Sequence, residues 1–392
     1  MMILFAVILM DLLTGMEFDL FVPSFPELQA QFSLTPFWVE ALLSANFMGY
    51  CLSLLFVGSL ADHYGRKPII LLGLGVFVIG SILCVSAPVY SCLLAGRFLQ
   101  GMGIAAPAIL SFLIIADAYS MKRQQFLMAM LNGSLNMAAA AAPVIGSYVA
   151  LYFHWRGNFA LLLILGVIVL LVAVLFVPKY KLPEHKETIS LKGYLPLFQS
   201  RPLMLLMANI ILMMIPYWIF VGMSPLLYIK SLGVSLRHFG YYQGVFAFVF
   251  ALGSIGFGLL MHRYAQKKIL NLASQCYLFS FAAIVAVTLW GSHDPLMITL
   301  AFLPFIISQI IPSTQLYPLC LNFMPQAKAK VSAVLQAGRL VFTALSLQIA
   351  GYFYDGSFRN IGIMIAVIIF MVIITNFFVL RNAALMNFSQ ES

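Results

Sequence analysis

Three carboxylic acids, Asp11, Glu17 and Asp19, fall within nine residues of each other in an apolar run near the N-terminus. An ionised side chain at the centre of a membrane helix costs about 2.5–3.5 kcal/mol, so such residues need a reason to be there. A buried carboxyl avoids much of that cost by binding a proton. Reversible proton binding of this kind is what a proton-coupled carrier requires. On a straight helix, Asp11 and Asp19 point within about 80° of each other and lie about 12 Å apart along the axis, so both can line one cavity at two depths. Glu17 points about 120° and 160° away from them, which leaves it either a contact with a neighbouring helix or polar group, the preferred reading, or a direct part in proton coupling if Gly15, Pro23 and Pro26 distort the segment.

Two bases stand in similar surroundings. Arg97, early in the fourth apolar run, is expected at the depth of Asp19, and pairing the two would halve the charge problem. That pair would either tune the acid or merely tie two helices together. Arg339 has no acid within the membrane runs of its own half, which leaves an acid elsewhere, a polar group such as Gln336, or an anionic substrate as its counterpart. With these five charges, Asn46, Tyr50, Asn209, Tyr217, Trp218, Gln243 and Phe246 are the side chains suited to an adaptable, mostly apolar substrate cavity.

The elements that must hold these groups follow from the composition. The chain has 392 residues, 63% hydrophobic and 8% charged, where a soluble domain is about 25% charged. A membrane helix uses roughly 20 apolar residues, and apolar runs fall at 3–25, 37–60, 68–87, 90–116, 125–152 and 158–178, then at 203–229, 238–261, 269–290, 295–319, 328–352 and 360–380. The expectation is an all-α integral membrane protein of 12 helices in two six-helix bundles, residues 1–178 and 202–392, joined by a polar linker at 179–201. Fifteen of the 21 Lys and Arg lie in alternate connections, and only Arg156, Lys230, Arg237 and Arg359 lie on the other side. That bias places both termini and the linker in the cytoplasm. The apolar N-terminus lacks a basic start and a small-residue cleavage site, so it reads as a first membrane helix and not a removable signal.

Other chemistries find no support. The five cysteines lack CxxC spacing and sit in apolar runs, so neither a disulfide framework nor a metal site is expected. Gly101, Gly103 and Ala106 imitate a dinucleotide loop, but no strand precedes them. No hydrolase or phosphate-loop pattern occurs, so no enzyme and no cofactor is expected. The net charge of +9 is scattered, which argues against nucleic acid as a partner.

An internal repeat supports the twofold division: Gly58–Pro68 aligns without gaps to Gly258–Lys268, sharing Gly, Leu, Tyr and Lys. Repeated bundles around a midplane site are a transporter architecture. The segment Gly58–Pro68, with Asp62, Gly65, Arg66 and Lys67, resembles the loop motif of the major facilitator superfamily. Met16–Leu28, Arg97–Gly103 and Ser224–Tyr242 resemble the Bcr/CflA-type drug:proton antiporters of that superfamily, and the two first-helix acids eight apart are similar to those of MdfA-type multidrug transporters. The resemblance implies proton coupling at Asp19, which is followed by Pro23 and Pro26. It also implies a cytoplasmic gate in which Asp62 faces the start of the eleventh helix and Arg66 pairs with Asp117. Pro143 and Gly146 match the family's antiporter motif in part, with alanine or serine at other expected glycines. The expected protein is therefore a monomeric, proton-driven inner-membrane exporter of small amphipathic compounds. Transport of one physiological metabolite, such as an anionic siderophore, is the alternative that Arg339 suggests.

Overall fold

The computed structural model describes residues 2–119, 121–178, 195–260, 266–324, 327–382 and 385. Most of the expected linker, the centre of the second copy of the internal repeat and the C-terminal tail lie outside them. The described chain is helical throughout and divides into two units. One comprises residues 1–189 with 235–247, the other 190–234 with 248–392.

The first unit begins with α1, Met2–Glu17, which stops eight residues short of the expected end of the first apolar run. Residues 18–21 form turns, followed by a 3-10 turn at Val22–Ser24 and the short helix α2, Phe25–Gln31. Proline explains the break. Pro23 and Pro26 each occupy one of the first two positions of a new helical segment, where a missing N–H costs nothing, and neither could continue α1. A straight-helix reading therefore fails beyond Glu17, and Asp19 lies in the turn.

Helix α3, Pro36–Tyr64, ends at Gly65 with φ +91°. It is followed by α4, Arg66–Ser86, and α5, Tyr90–Ala118, which packs against both α3 and α4. Helix α6, Met121–Phe176, is two helices fused at His154, whose φ of 60° and ψ of −175° break the spiral between the expected fifth and sixth runs. Glu27 of α2 fixes this corner: its Oε2 accepts the Trp155 N–H at 2.8 Å and its Oε1 lies 3.0 Å from His154 Nδ1.

The second unit holds α7, Leu195–Gln199, and α8, Arg201–Pro225, which continues as a π-helical turn at Leu226–Ser231. Then come α9, Leu236–Leu260, whose first turns group with the first unit, and α10, Gln266–Trp290. The chain continues through α11, Pro295–Phe323, α12, Lys328–Phe353, and α13, Phe358–Arg381. Nine described stretches are long and apolar enough to span a membrane, one of them the doubled stretch 133–176. The expected runs at 3–25 and 238–261 fall on the broken α1–α2 segment and on α9.

Candidate functional site

One buried ion pair, Arg97 with Glu17, lies where α1, α3, α4 and α5 come together. Arg97 of α5 is fully buried, and its Nη1 donates to Glu17 Oε1 at 2.7 Å and to Gln100 Oε1 at 2.7 Å. Its Nε donates to the Leu42 carbonyl at 3.4 Å, and its guanidinium lies 4.1 Å from the Phe21 ring centroid. The partner of Arg97 is therefore Glu17 and not the expected Asp19. Asp19 does not lie on a regular helix: the last turn of α1 carries Glu17 toward α5, and the chain bends before Asp19.

Asn46 completes the pair. Its Nδ2 donates to Glu17 Oε1 at 2.6 Å and to the Arg97 carbonyl at 3.1 Å. Its expected place in a substrate cavity gives way to holding this ion pair. The approach of α3 to α5 depends on Gly101, where an added Cβ would collide with the Asn46 carbonyl. Gln100 carries the network into α4 by donating to Ser81 Oγ at 2.8 Å, and Ser81 donates to the Phe77 carbonyl at 2.8 Å. An ion pair with so many partners is the form in which buried charges are tolerated.

The other two first-helix acids have different surroundings. Asp11 Oδ1 accepts from Ser111 Oγ of α5 at 2.9 Å, while its Oδ2 has no hydrogen-bond partner among the described residues. Asp19 is 4% exposed, and its Oδ1 likewise has no partner among the described residues. The turn that carries Asp19 rests on α6. A Cβ on Gly146 would strike the Leu20 carbonyl, and Asn158 Nδ2 donates both to Ser24 Oγ at 2.8 Å and to the Gly146 carbonyl at 3.2 Å. Pro143, one turn earlier, has its carbonyl accept from Ser147 Oγ at 2.8 Å. The partial antiporter motif and the Asp19 turn are therefore in contact. Tyr50 lies beside the same turn, its ring 6.0 Å from that of Phe18.

The loop-motif residues cluster at the other end of α3 and the start of α4. Gly58 faces open space, Asp62 is exposed, Arg66 is half-buried, and Lys67 Nζ donates to the Val174 carbonyl at 2.6 Å. The Asp117 side chain lies outside the described residues. In the second unit Asn209 is buried, but its amide donates to Thr375 Oγ1 at 2.8 Å and to the Val372 carbonyl at 3.3 Å, which commits it to α13. Tyr217 and Trp218 are half-buried with ring centroids 5.6 Å apart, and Arg339 is also half-buried. Gln243 and Phe246 are buried on α9.

One charged residue escaped the sequence reading. Glu40 is fully buried in the first turns of α3, and neither of its oxygens has a hydrogen-bond partner among the described residues. Its signal was available: Pro36 marks a helix start, which places Glu40 a full turn inside an apolar run.

Among curated relatives, the chain is 32% identical over 165 residues to the multidrug resistance protein MdtL of Escherichia coli, covering 42% of each chain. It is 28% identical over 220 residues to the Salmonella heidelberg protein of the same name, covering 55% of each. It is 26% identical over 238 residues to the bicyclomycin resistance protein homolog of Haemophilus influenzae, covering 60% of each. The matches span roughly half the length of these relatives. The fold is that of solved transporters: a nucleoside transporter, NupG, superposes with a TM-score of 0.77 at 11% identity over 96% of this chain and 98% of that one. A D-xylose-proton symporter superposes with a TM-score of 0.73 at 14% identity, covering 95% and 96%. Residues 7–346 match the Major Facilitator Superfamily, and the chain is a member of that family of membrane transporters.

Proposed function

We propose that the protein exports small amphipathic compounds across the bacterial inner membrane in exchange for protons, with both termini in the cytoplasm and no cofactor. The observation that carries this reading is the contrast between adjacent acids. Glu17 is held by Arg97 and Asn46, whereas Asp19, two residues on, is buried in a turn with an oxygen that nothing described satisfies. The ion pair and the Asn46 amide hold Glu17 in place. An unpaired buried acid is stable only while it carries a proton, and gives it up when water or a cationic group reaches it. Asp11, held by a single hydroxyl, is a second such site.

Asp19 takes a proton from the outer side, and substrate entering from the cytoplasm displaces it inward, so that neither movement completes alone. Each proton supplies about 1.36 kcal/mol per unit of pH difference and about 2.3 kcal/mol per 100 mV. The multidrug and bicyclomycin resistance names of the relatives support a broad drug-like substrate range. The test is accumulation in proteoliposomes with an imposed pH gradient. Wild type concentrates a lipophilic drug and Asp19→Asn only equilibrates it. An Asp19→Asn protein that still built a gradient would remove Asp19 from the mechanism.

A further inference from the structure

Glu40 takes no part in the exchange just described, yet it is harder to account for than Asp19. It is a fully buried carboxyl, and both of its oxygens are unsatisfied among the described residues. Leaving an ionised carboxylate dry and unpaired costs far more than a helix of this size returns. Among the described residues, the neighbouring elements offer no counter-charge. From α5, Tyr90 donates its hydroxyl to the Trp38 carbonyl at 2.5 Å, and Arg97 is committed to Glu17, Gln100 and the Leu42 carbonyl. From α2, Glu27 is committed to Trp155 and His154. From α1, Glu17 is bonded to Asn46 of α3 and to Arg97. The bases of α4, Arg66 and Lys67, start that helix beside the far end of α3.

The position of Glu40 on α3 is equally specific. Ser44, Phe47 and Cys51 follow it at four, seven and eleven residues, and all are buried, so Glu40 heads one continuous buried stripe. Phe47, about 10 Å further along the axis by helical rise, packs its ring 5.2 Å from that of Phe18, the residue before Asp19. The stripe therefore runs from the Pro36 end of α3 to the Asp19 turn, with the Ser44 hydroxyl as a polar step between the two carboxyls.

We propose that Glu40 is a further proton-binding group of the transport cycle, beside Asp19 and Asp11, neutral while buried as here and ionised when the Pro36 end of α3 admits water. Its burial then requires uptake of one proton, so the conformation that buries it gains population as pH falls at that end. This rests on the antiport reading above, and the experiment separates the two. Infrared difference spectra of the reconstituted protein between acid and alkaline pH record protonated carboxyl bands. Glu40→Gln should lose one carboxyl's share of that band, and Glu40→Asp should restore it. The thermal midpoint of Glu40→Gln, compared with wild type, shows that the variant is folded.

Substrate-driven proton release, measured on the same samples, should become several-fold slower in Glu40→Gln, and more so at alkaline pH. A Glu40→Gln band identical to wild type would overturn the proposal, as would, where wild type does release protons, a lost band with an unchanged release rate and pH profile. A wild type that releases no proton on adding any of a panel of drugs, while Glu40→Gln still loses its share of the band, supports Glu40 as a proton site and overturns antiport instead.

Discussion

The two units bury polar groups of different kinds. In the first, Asp11, Glu17, Asp19, Glu40 and Arg97 are all buried, and these are all of the buried charged side chains among the described residues. In the second, the buried polar residues among those described are amides and hydroxyls, and some of them tie helices together, such as Asn209 with Thr375 at 2.8 Å and Asn376 with Ser274 at 2.7 Å. Neutral amide bonds hold geometry without responding to pH, whereas a carboxyl exchanges a proton. Among the described residues, the buried carboxyls, the groups able to take and release a proton, are therefore all in the first unit.

Substitutions that remove one charge should break the first unit far more severely than amide changes break the second. The largest effect is expected for Arg97→Ala, which strands Glu17 and should cost about 3–5 kcal/mol, read as a lowered thermal midpoint in detergent with loss of transport. Arg97→Met combined with Glu17→Met should recover much of that stability without recovering transport, because a buried ion pair is often replaceable by apolar side chains of similar volume. Gly146→Ala comes next. It pushes on the Leu20 carbonyl and should cost about 1–3 kcal/mol while displacing the Asp19 turn, seen as drug efflux reduced more than expression.

Asn209→Ala should cost only about 1 kcal/mol and leave the pH profile of transport unchanged. A profile shifted by that change would erase the distinction between the units. The smallest effect is expected outside the membrane, at Asp355 between α12 and α13. Hydrogen bonds from Ser357 hold its carboxyl below the usual aspartate range, against the opposing effect of slight burial. Its contribution to stability is present at neutral pH and fades as pH falls through that lowered range, so Asp355→Asn should narrow its small midpoint difference from wild type on acidification.

Much of this contrast is legible in the sequence. Charges are so scarce in the apolar runs that Asp11, Glu17, Asp19 and Arg97 declare themselves, and the run lengths mark the helices. Partner choice is not legible, because it depends on where α1 ends. Two prolines bend the chain after Glu17, and that bend exchanges the expected Arg97–Asp19 contact for Arg97–Glu17. Nor could spacing reveal Asn46, Gln100 and Ser81 as one network, since three helices must pack before their amides and hydroxyl meet. Asn209, a cavity candidate by sequence, faces α13 because helix rotation is set by tertiary packing.

The most direct measurement adds a drug to purified protein in weakly buffered detergent solution and records proton release. The account predicts release from wild type, its loss in Asp19→Asn, and its persistence in Asn209→Ala. Release of equal size from Asp19→Asn and wild type would contradict it.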